Sequence, residues 1–232
     1  MSSLPQLDPH LKVLAHQLAS PDVRARKLAL NELREMPAEK SVPLIQTALK
    51  DHNQQVRSLA VFSLGVNPTP DCLGILIEVL QTDPDYGVRA DAAGALGYLG
   101  NVRALESLVR AFYEETAWLV RFSAVVALGN LRDRRAETVL LQALNCQEVV
   151  MHQAAIAALG EISALNAIDP LLSFLDAEDW LVRQRLAEAL GYLPSEKSLS
   201  ALQVLQSDRN FNVAEAANLS LQRLQELKLG SL

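Results

Sequence analysis

Apolar residues follow a helical period along the chain, in blocks separated by short polar segments. In the block 118–131 they lie 0, 4, 7 and 8 residues after its first valine, which places them on one stripe of a helix. The block 103–114 has the same kind of period, and no stretch alternates with a period of two over a useful length. The pattern therefore predicts an all-α protein. The stripe of the block 118–131 consists of Val120, Ala124, Ala127 and Leu128.

A longer period runs through these blocks. A phrase that begins with Val-Arg and ends with Leu-Gly, or with substitutes for them, starts at positions 23, 56, 88, 120, 151, 182 and 213. Such a period is typical of a solenoid, in which each helix pair packs only against its neighbours. We predict a single domain over 1–232, an α-α superhelix of about seven helix-pair repeats. The predicted repeats are about 7–36, 40–66, 70–99, 103–131, 135–162, 166–193 and 197–228.

Small residues inside the phrase predict close packing between successive repeats. In the second, third and fourth copies alanine or serine stands four and seven residues after the first position, and glycine stands nine residues after it, so neighbouring helices can approach closely. In the first and last copies, Asn31-Glu32 and Leu221-Gln222 replace Leu-Gly, as expected of capping repeats. Most prolines fall at predicted helix ends, and Pro43 and Pro170 are expected in first turns.

The phrase V-R-x-x-A-x-x-A-L-G, at a spacing of about 31 residues, resembles the HEAT-like repeat of the phycobilisome (phycobilin) lyases over nearly the whole chain. The stretch from VRADAAGALGYLG to VRFSAVVALGNL is similar to NblB-type proteins of cyanobacteria, which are implicated in phycobilisome degradation, and to cyanobacterial HEAT proteins of iron homeostasis. The resemblance implies a HEAT-like scaffold or adaptor that binds a phycobiliprotein or another protein, in degradation or in chromophore handling. Because lyase members commonly work as pairs, a second HEAT-like subunit is a further expected partner.

Two alternative functions stay open. One is a lyase-like protein whose groove binds an open tetrapyrrole (bilin), with a carboxylate such as Asp91 near its pyrrole nitrogens. The other is a scaffold in iron or iron–sulfur homeostasis, for which Cys72, Cys146 and His152 would matter. We predict no cofactor for the favoured function and a bilin ligand for the first alternative.

The second helices of stacked pairs usually line a concave face, here through the positions 2, 3, 6 and 10 residues after the start of the phrase. Several of these positions are apolar or aromatic, and an exposed apolar patch usually marks an interaction site. Trp118 and Trp180, 62 residues apart, stand two residues before the phrase, where each could pack on a connector or anchor a partner. The candidate partner-binding groove comprises Phe62, Asp91, Tyr98, Trp118, Phe122, Val126, Trp180, Arg185 and Tyr192.

An arginine is the second residue of the phrase in five copies, and an acid often stands five residues before the phrase. We predict a structural ladder of arginine–carboxylate pairs that links successive repeats, rather than a basic track for an anionic ligand. In the fifth copy Cys146 and His152 take the two positions. They could supply two metal ligands, but two more would have to come from elsewhere, so we predict no metal site. The predicted ladder arginines are Arg24, Arg57, Arg89, Arg121 and Arg183.

Composition narrows the function classes. A net charge of −6 disfavours a nucleic-acid partner. No stretch approaches the ~20 apolar residues of a membrane span, and no signal sequence opens the chain, so we expect a soluble cytoplasmic protein without membrane insertion. The two cysteines, 74 residues apart, are expected to be free thiols.

Catalytic motifs are missing from the sequence. It has no glycine-rich phosphate loop, no G-x-S-x-G and no H-E-x-x-H. Deoxyhypusine hydroxylases, which are HEAT-type enzymes, carry iron on His-Glu pairs, and none of the four histidines here precedes a glutamate. We therefore favour a non-catalytic protein; if the chain is an enzyme, we expect a lyase that acts on a bilin or a related tetrapyrrole.

Overall fold

The chain folds into helix pairs. The structure, a computed structural model, describes residues 8–229, and over that range it contains fourteen α-helices and no strand, as predicted. The predicted start of the first repeat, at residue 7, lies outside the described residues. The first helices of the pairs are α1 Pro9–Leu18, α3 Ala38–Ala48, α5 Cys72–Thr82, α7 Leu105–Glu114, α9 Glu137–Ala143, α11 Ile168–Leu172 and α13 Glu196–Leu205. The second helices are α2 Val23–Arg34, α4 Gln54–Val66, α6 Tyr86–Leu99, α8 Trp118–Asn130, α10 Val149–Glu161, α12 Trp180–Leu190 and α14 Phe211–Leu229.

The residues divide into two compact units after Ala104. Unit 1 holds α1 to α6, which are the first three pairs, and unit 2 holds α7 to α14, which are the last four. The single domain over 1–232 stays a prediction. Within the described range, no helix combines the length and the apolar character needed to cross a membrane.

The helix boundaries result from capping and proline chemistry. Asn53 accepts hydrogen bonds from the backbone N–H groups of Gln55 and Val56 at 2.9 and 3.3 Å, and so caps the start of α4. Pro170 lies in the first turn of α11, as predicted. The prediction for Pro43 is wrong, because this proline lies inside α3. Its ring faces solvent, where water can satisfy the carbonyl that loses its N–H partner.

The predicted stripes form the interior of each unit. Val120, Ala124, Ala127 and Leu128 are completely buried, and the equivalent side chains of α4 and α6 are buried as well. Several predicted face positions are different: Ala90, two residues after the start of the phrase, and Ala154 and Ala216, three residues after it, are buried rather than exposed. The equivalent buried side chains are Val56, Ala60, Ser63 and Leu64 in α4 and Val88, Ala92, Ala95 and Leu96 in α6.

The glycine of the phrase sits where the next second helix passes closest. A Cβ atom added to Gly65 would lie 2.9 Å from the Cβ of Ala95, and one added to Gly129 would lie 2.8 Å from the Cα of Ala158. Both distances are shorter than side chains tolerate. The predicted role of this glycine in close approach is therefore confirmed. In α14 its position is taken by Gln222, whose side chain is exposed.

Three second helices end in the left-handed region. Gly100 follows α6 with φ of 61°, while Arg132 and Ser163 lie at the corresponding places after α8 and α10 with φ of 52° and 54°. Glycine adopts this conformation without strain, whereas other residues pay a steric cost. Two of the three helix ends thus carry local strain that a glycine would remove.

Candidate functional site

The second helices of unit 2 expose one residue per turn on a common face. These positions recur every four residues, so each repeat contributes four of them to the face; the fourth position of the α12 repeat, Tyr192, follows the end of the helix. We call this surface, formed by α8, α10, α12 and α14, the unit 2 face. Its residues, in chain order, are Trp118, Phe122, Val126 and Asn130; Val149, Gln153, Ala157 and Glu161; Trp180, Gln184, Glu188 and Tyr192; and Phe211, Glu215, Leu219 and Arg223.

Two open cavities of about 320 and 310 Å³ lie side by side on the unit 2 face. The first lies over α8 and α10 and is lined by Phe122 and Val126, and the second lies over α12 and α14 and is lined by Tyr192. Because Ala157, Glu161 and Arg185 line both, the cavities form one continuous depression, which we call the unit 2 groove. Its floor consists of small side chains: Ala154, Ala157, Ala158, Ala189 and Ala216.

Three of the five charged side chains that line the groove form ion pairs: Glu161, Arg185 and Glu188 do, and the other two are Glu215 and Arg223. Arg185 Nη1 donates to Glu188 Oε2 at 2.7 Å, and the Gln184 amide donates to the other Glu188 oxygen at 2.9 Å. Arg132 reaches Glu161 at 3.1 Å from the side of the groove. Apart from Glu215 and Arg223, what these pairs leave available for contact is mainly apolar and aromatic surface.

Arg223 is held differently, because its guanidinium carbon lies 4.2 Å from the centroid of the Tyr192 ring. Such a cation–π contact orients an arginine without using its hydrogen-bond donors. At the other end of the groove, the Trp118 and Phe122 rings meet edge to face at 6.4 Å. Both ends of the groove therefore carry oriented aromatic rings.

Three of the predicted groove residues belong to unit 1, where two of them are exposed aromatic residues. Phe62 and Tyr98 are exposed, and the Arg34 guanidinium lies 5.5 Å from the Phe62 ring centroid. The pKa of Asp91 is raised, because desolvation outweighs a hydrogen bond with Ser58 that lowers it. The structure thus brings together Phe122, Val126, Arg185 and Tyr192 around the unit 2 groove, while Phe62, Asp91 and Tyr98 lie in the other unit.

Arginine–carboxylate pairs link successive repeats within each unit. Arg57 binds Asp83 of the next repeat through two hydrogen bonds of 2.8 and 2.9 Å, and Arg183 binds Asp208 in the same way at 2.7 and 3.0 Å. These bidentate pairs are almost fully buried. The hydrogen bond from Arg183 holds the pKa of Asp208 below its ordinary value, against desolvation, which raises it. The ladder arginines also donate to a backbone carbonyl oxygen in the loop of their own repeat, Arg57 to Asp51 at 3.0 Å and Arg89 to Asp83 at 2.9 Å.

The predicted ladder position of the first repeat needs a correction. Arg24 is exposed, whereas Arg26 is buried, donates to Asp51 at 3.1 Å and also binds the Ser20 carbonyl oxygen at 2.8 Å. The phrase therefore starts two residues later in this repeat, and the spacing from its arginine to Arg57 becomes 31 residues. The misleading signal is the Val23-Arg24 pair, which copies the usual start of the phrase.

The fifth repeat keeps the ladder geometry with different chemistry. Arg121 Nη2 lies 3.2 Å from Cys146 Sγ, the atom that occupies the place of the carboxylate. His152 Nε2 lies 2.6 Å from the Cys146 carbonyl oxygen and so reproduces the backbone contact of the ladder arginines. Cys72 is buried in unit 1, beside Thr69. Among the described residues no group of three or more histidine, cysteine or acidic side chains is placed to hold a metal ion.

Comparison with known proteins agrees with the repeat architecture. The family model described as HEAT repeats matches residues 44–129, 75–149 and 137–222. The chain is 33% identical over 105 residues to a deoxyhypusine hydroxylase of Neosartorya fischeri, covering 43% of this chain and 31% of that protein. It is 31% identical over 115 residues to the bilin biosynthesis protein PecE of Mastigocladus laminosus, covering 47% of this chain and 43% of that protein.

The chain therefore spans less than half the length of each of these two relatives. The solved complex of CpcE and CpcF of phycocyanin lyase from Nostoc has a similar fold, with a TM-score of 0.59 and 20% identity over 96% of this chain and 97% of that one. Together with the repeat geometry, the family match over most of the sequence establishes that the chain belongs to the HEAT-repeat family.

Proposed function

We propose that this protein is a non-catalytic scaffold that binds a phycobiliprotein, in phycobilisome degradation or chromophore handling, through the unit 2 groove. The observation that carries the proposal is the continuous groove with a floor of small side chains and aromatic rings at both ends. A small-residue floor lets a partner approach the helix backbones, and aromatic walls supply most of the contact energy in many protein interfaces. The similarity to PecE and to the fold of the phycocyanin lyase subunits supports a phycobiliprotein as the partner.

The internal ion pairs of the groove lead to a further expectation. Because Arg185 and Glu161 already have partners of opposite charge, binding should depend on burial of apolar area rather than on charge attraction. The affinity should then change little between low and moderate salt. A second HEAT-like subunit would be a partner of the same kind, since the solved Nostoc relative is a complex of two subunits.

Binding to purified phycocyanin tests the proposal. Replacing both Phe122 and Val126 with aspartate puts two charges into the groove and should weaken binding at least tenfold, as measured by biolayer interferometry. The matched control is Tyr113→Asp, which changes an exposed aromatic residue on the first helix α7, outside the unit 2 face. Failure of the wild-type protein to bind, or equal binding by the groove variant, would refute the proposal.

Bilin binding is the second candidate function. It is favoured by Arg185 and Arg223, which line the same cavity as the Tyr192 ring. A linear tetrapyrrole carries two propionate groups, which arginines bind well, and conjugated rings that stack on aromatic side chains. Mixing the protein with phycocyanobilin should then shift the visible absorption band, and Arg223→Gln should reduce the shift. An unchanged spectrum at saturating protein would exclude this function.

A further inference from the structure

A row of exposed apolar side chains runs along one edge of the unit 2 face. Each second helix of unit 2 begins with a large apolar residue, so that equivalent positions of four consecutive repeats form a row. The exposed fractions are 53% for Trp118, 45% for Val149, 40% for Trp180 and 74% for Phe211. None of these four residues lines either cavity of the unit 2 groove. We call this row the apolar ridge.

The apolar ridge is continuous because the repeats keep a constant register. Gly129 packs against Ala158, Gly160 against Ala189, and Gly191 against Ser220, always at the equivalent point of the two helices. Neighbouring helices are about 8 to 10 Å apart in such packing, so the four ridge residues span about 24 to 30 Å. Two of them are the only tryptophans of the sequence.

Acidic side chains border the ridge in the loops that precede the second helices. Glu148, Asp176 and Glu178 are exposed and form no salt bridge with any residue in the described part of the chain. In these loops Arg209 is the exposed side chain of opposite charge, beside Phe211. Glu148 is the N-cap residue of α10, so its carboxylate offsets the partial positive charge of that helix N-terminus. The border is therefore negative overall.

We propose that the apolar ridge binds a basic amphipathic helix of a protein partner, with large apolar side chains on one face and lysine or arginine beside them. The proposal rests on the proposed function in that the same face binds a protein, and it specifies the partner's chemistry. The charge of the border selects for basic residues, and the exposed side chains of the ridge offer apolar contact area for the apolar face of the helix.

The dimensions of a helix fit the ridge. A helix rises about 1.5 Å per residue, so apolar residues seven positions apart lie about 10.5 Å apart, which is close to the spacing of the second helices. A helix of about 20 residues is about 30 Å long and would cover the ridge from Trp118 to Phe211. Each heptad of the partner helix would then place one pair of apolar side chains against the ridge residue of one repeat.

A titration monitored by tryptophan fluorescence tests the proposal directly, because Trp118 and Trp180 both lie on the ridge. The probes are two tryptophan-free peptides of about 20 residues with identical leucine and phenylalanine positions at heptad spacing, one with lysines and one with glutamates elsewhere. The lysine peptide should shift the emission to the blue and should bind at least tenfold tighter at low salt than the glutamate peptide. Equal binding of the two peptides, or binding of neither, overturns the proposal.

Variants separate the ridge from the groove. The double change Glu148→Lys and Glu178→Lys should make the glutamate peptide the tighter binder. Phe211→Ser should lower the affinity for the lysine peptide about tenfold. Tyr192→Ala, in the groove, should leave peptide binding unchanged. Vesicles of phosphatidylcholine, with or without phosphatidylserine, should not shift the emission; a shift with vesicles alone would identify a membrane-binding surface and overturn the proposal. Phycocyanin binding by the Phe122 and Val126 variant reports separately on the proposed function.

Discussion

The substitution Gly129→Ala measures how tightly α8 and α10 pack. The added methyl group would lie 2.7 Å from the Ala158 Cβ and 2.8 Å from its Cα, whereas ordinary contacts start at 3.4 Å. Since Cα is backbone, α10 itself would have to move by roughly 0.6 Å, the difference between 3.4 Å and the Cα distance of 2.8 Å. Overpacking of this kind costs about 1 to 3 kcal/mol, and the better helix propensity of alanine returns about 0.5 to 1 kcal/mol. The middle of the two ranges corresponds to a net loss of about 1 kcal/mol.

Gly94→Ala is the matched control, because this helical glycine has no atom within 4 Å of an added Cβ. The same chemical change should there stabilise the protein by about 0.5 to 1 kcal/mol. Urea unfolding followed by circular dichroism gives both values, provided that the slope m stays at its wild-type value. If Gly129→Ala were as stable as the wild type while Gly94→Ala gained stability, the close approach of α8 and α10 would be refuted.

Three further predictions concern the ladder and the helix ends. Arg26→Ala should lower the free energy of unfolding by about 3 kcal/mol because it leaves Asp51 buried without its partner, whereas Arg24→Ala should change it by less than about 0.5 kcal/mol; urea denaturation distinguishes the two. Because Arg183 lowers the pKa of Asp208, the pair stabilises the fold above the ordinary aspartate pKa near 3.9, and this stability is lost as the pH falls through the lowered value. Thermal melts should therefore show that Asp208→Asn is less stable than the wild type at pH 7, with a difference that shrinks on acidification. Ser163→Gly should raise the unfolding free energy by about 1 kcal/mol in urea, because it relieves the φ of 54°.

The sequence period predicts what is common to all repeats, and the structure adds what is particular to each. The buried stripes and the role of the glycines are predictable from the spacing of small residues, because helix geometry fixes which side chains share a face. The register of the first repeat cannot be predicted from the sequence, since Val23-Arg24 matches the phrase. Only the contact with Asp51 identifies Arg26 as the ladder arginine. The prediction for Pro43 fails for a similar reason, because an exposed helix interior tolerates a proline that local rules exclude.

The candidate site shows the same division. Trp118, Val149, Trp180 and Phe211 each stand two residues before a copy of the phrase, so their equivalence is visible in the sequence, whereas their exposure is found only in the structure. The two cavities depend on the distances between α8, α10, α12 and α14, which no single repeat specifies. Arginine–carboxylate pairing is expected from the sequence for its chemistry, and the structure resolves its direction, from one repeat to the loop of the next.

Gln222 bears on how copies of this protein avoid one another. A stack of similar repeats carries an inherent risk, because the trailing surface of one molecule could receive the leading surface of another and extend a filament without closure. Inside the chain, such seating requires a glycine that lets the next helix touch backbone, as at Gly191 and Ser220. Gln222 places a solvated amide at the equivalent position of α14. A second copy that docked there would have to displace the water around this amide, and its helix would lie farther from α14 than Ser220 lies from Gly191. A second copy could therefore approach α14 at Gln222 less closely than successive second helices approach one another inside the chain.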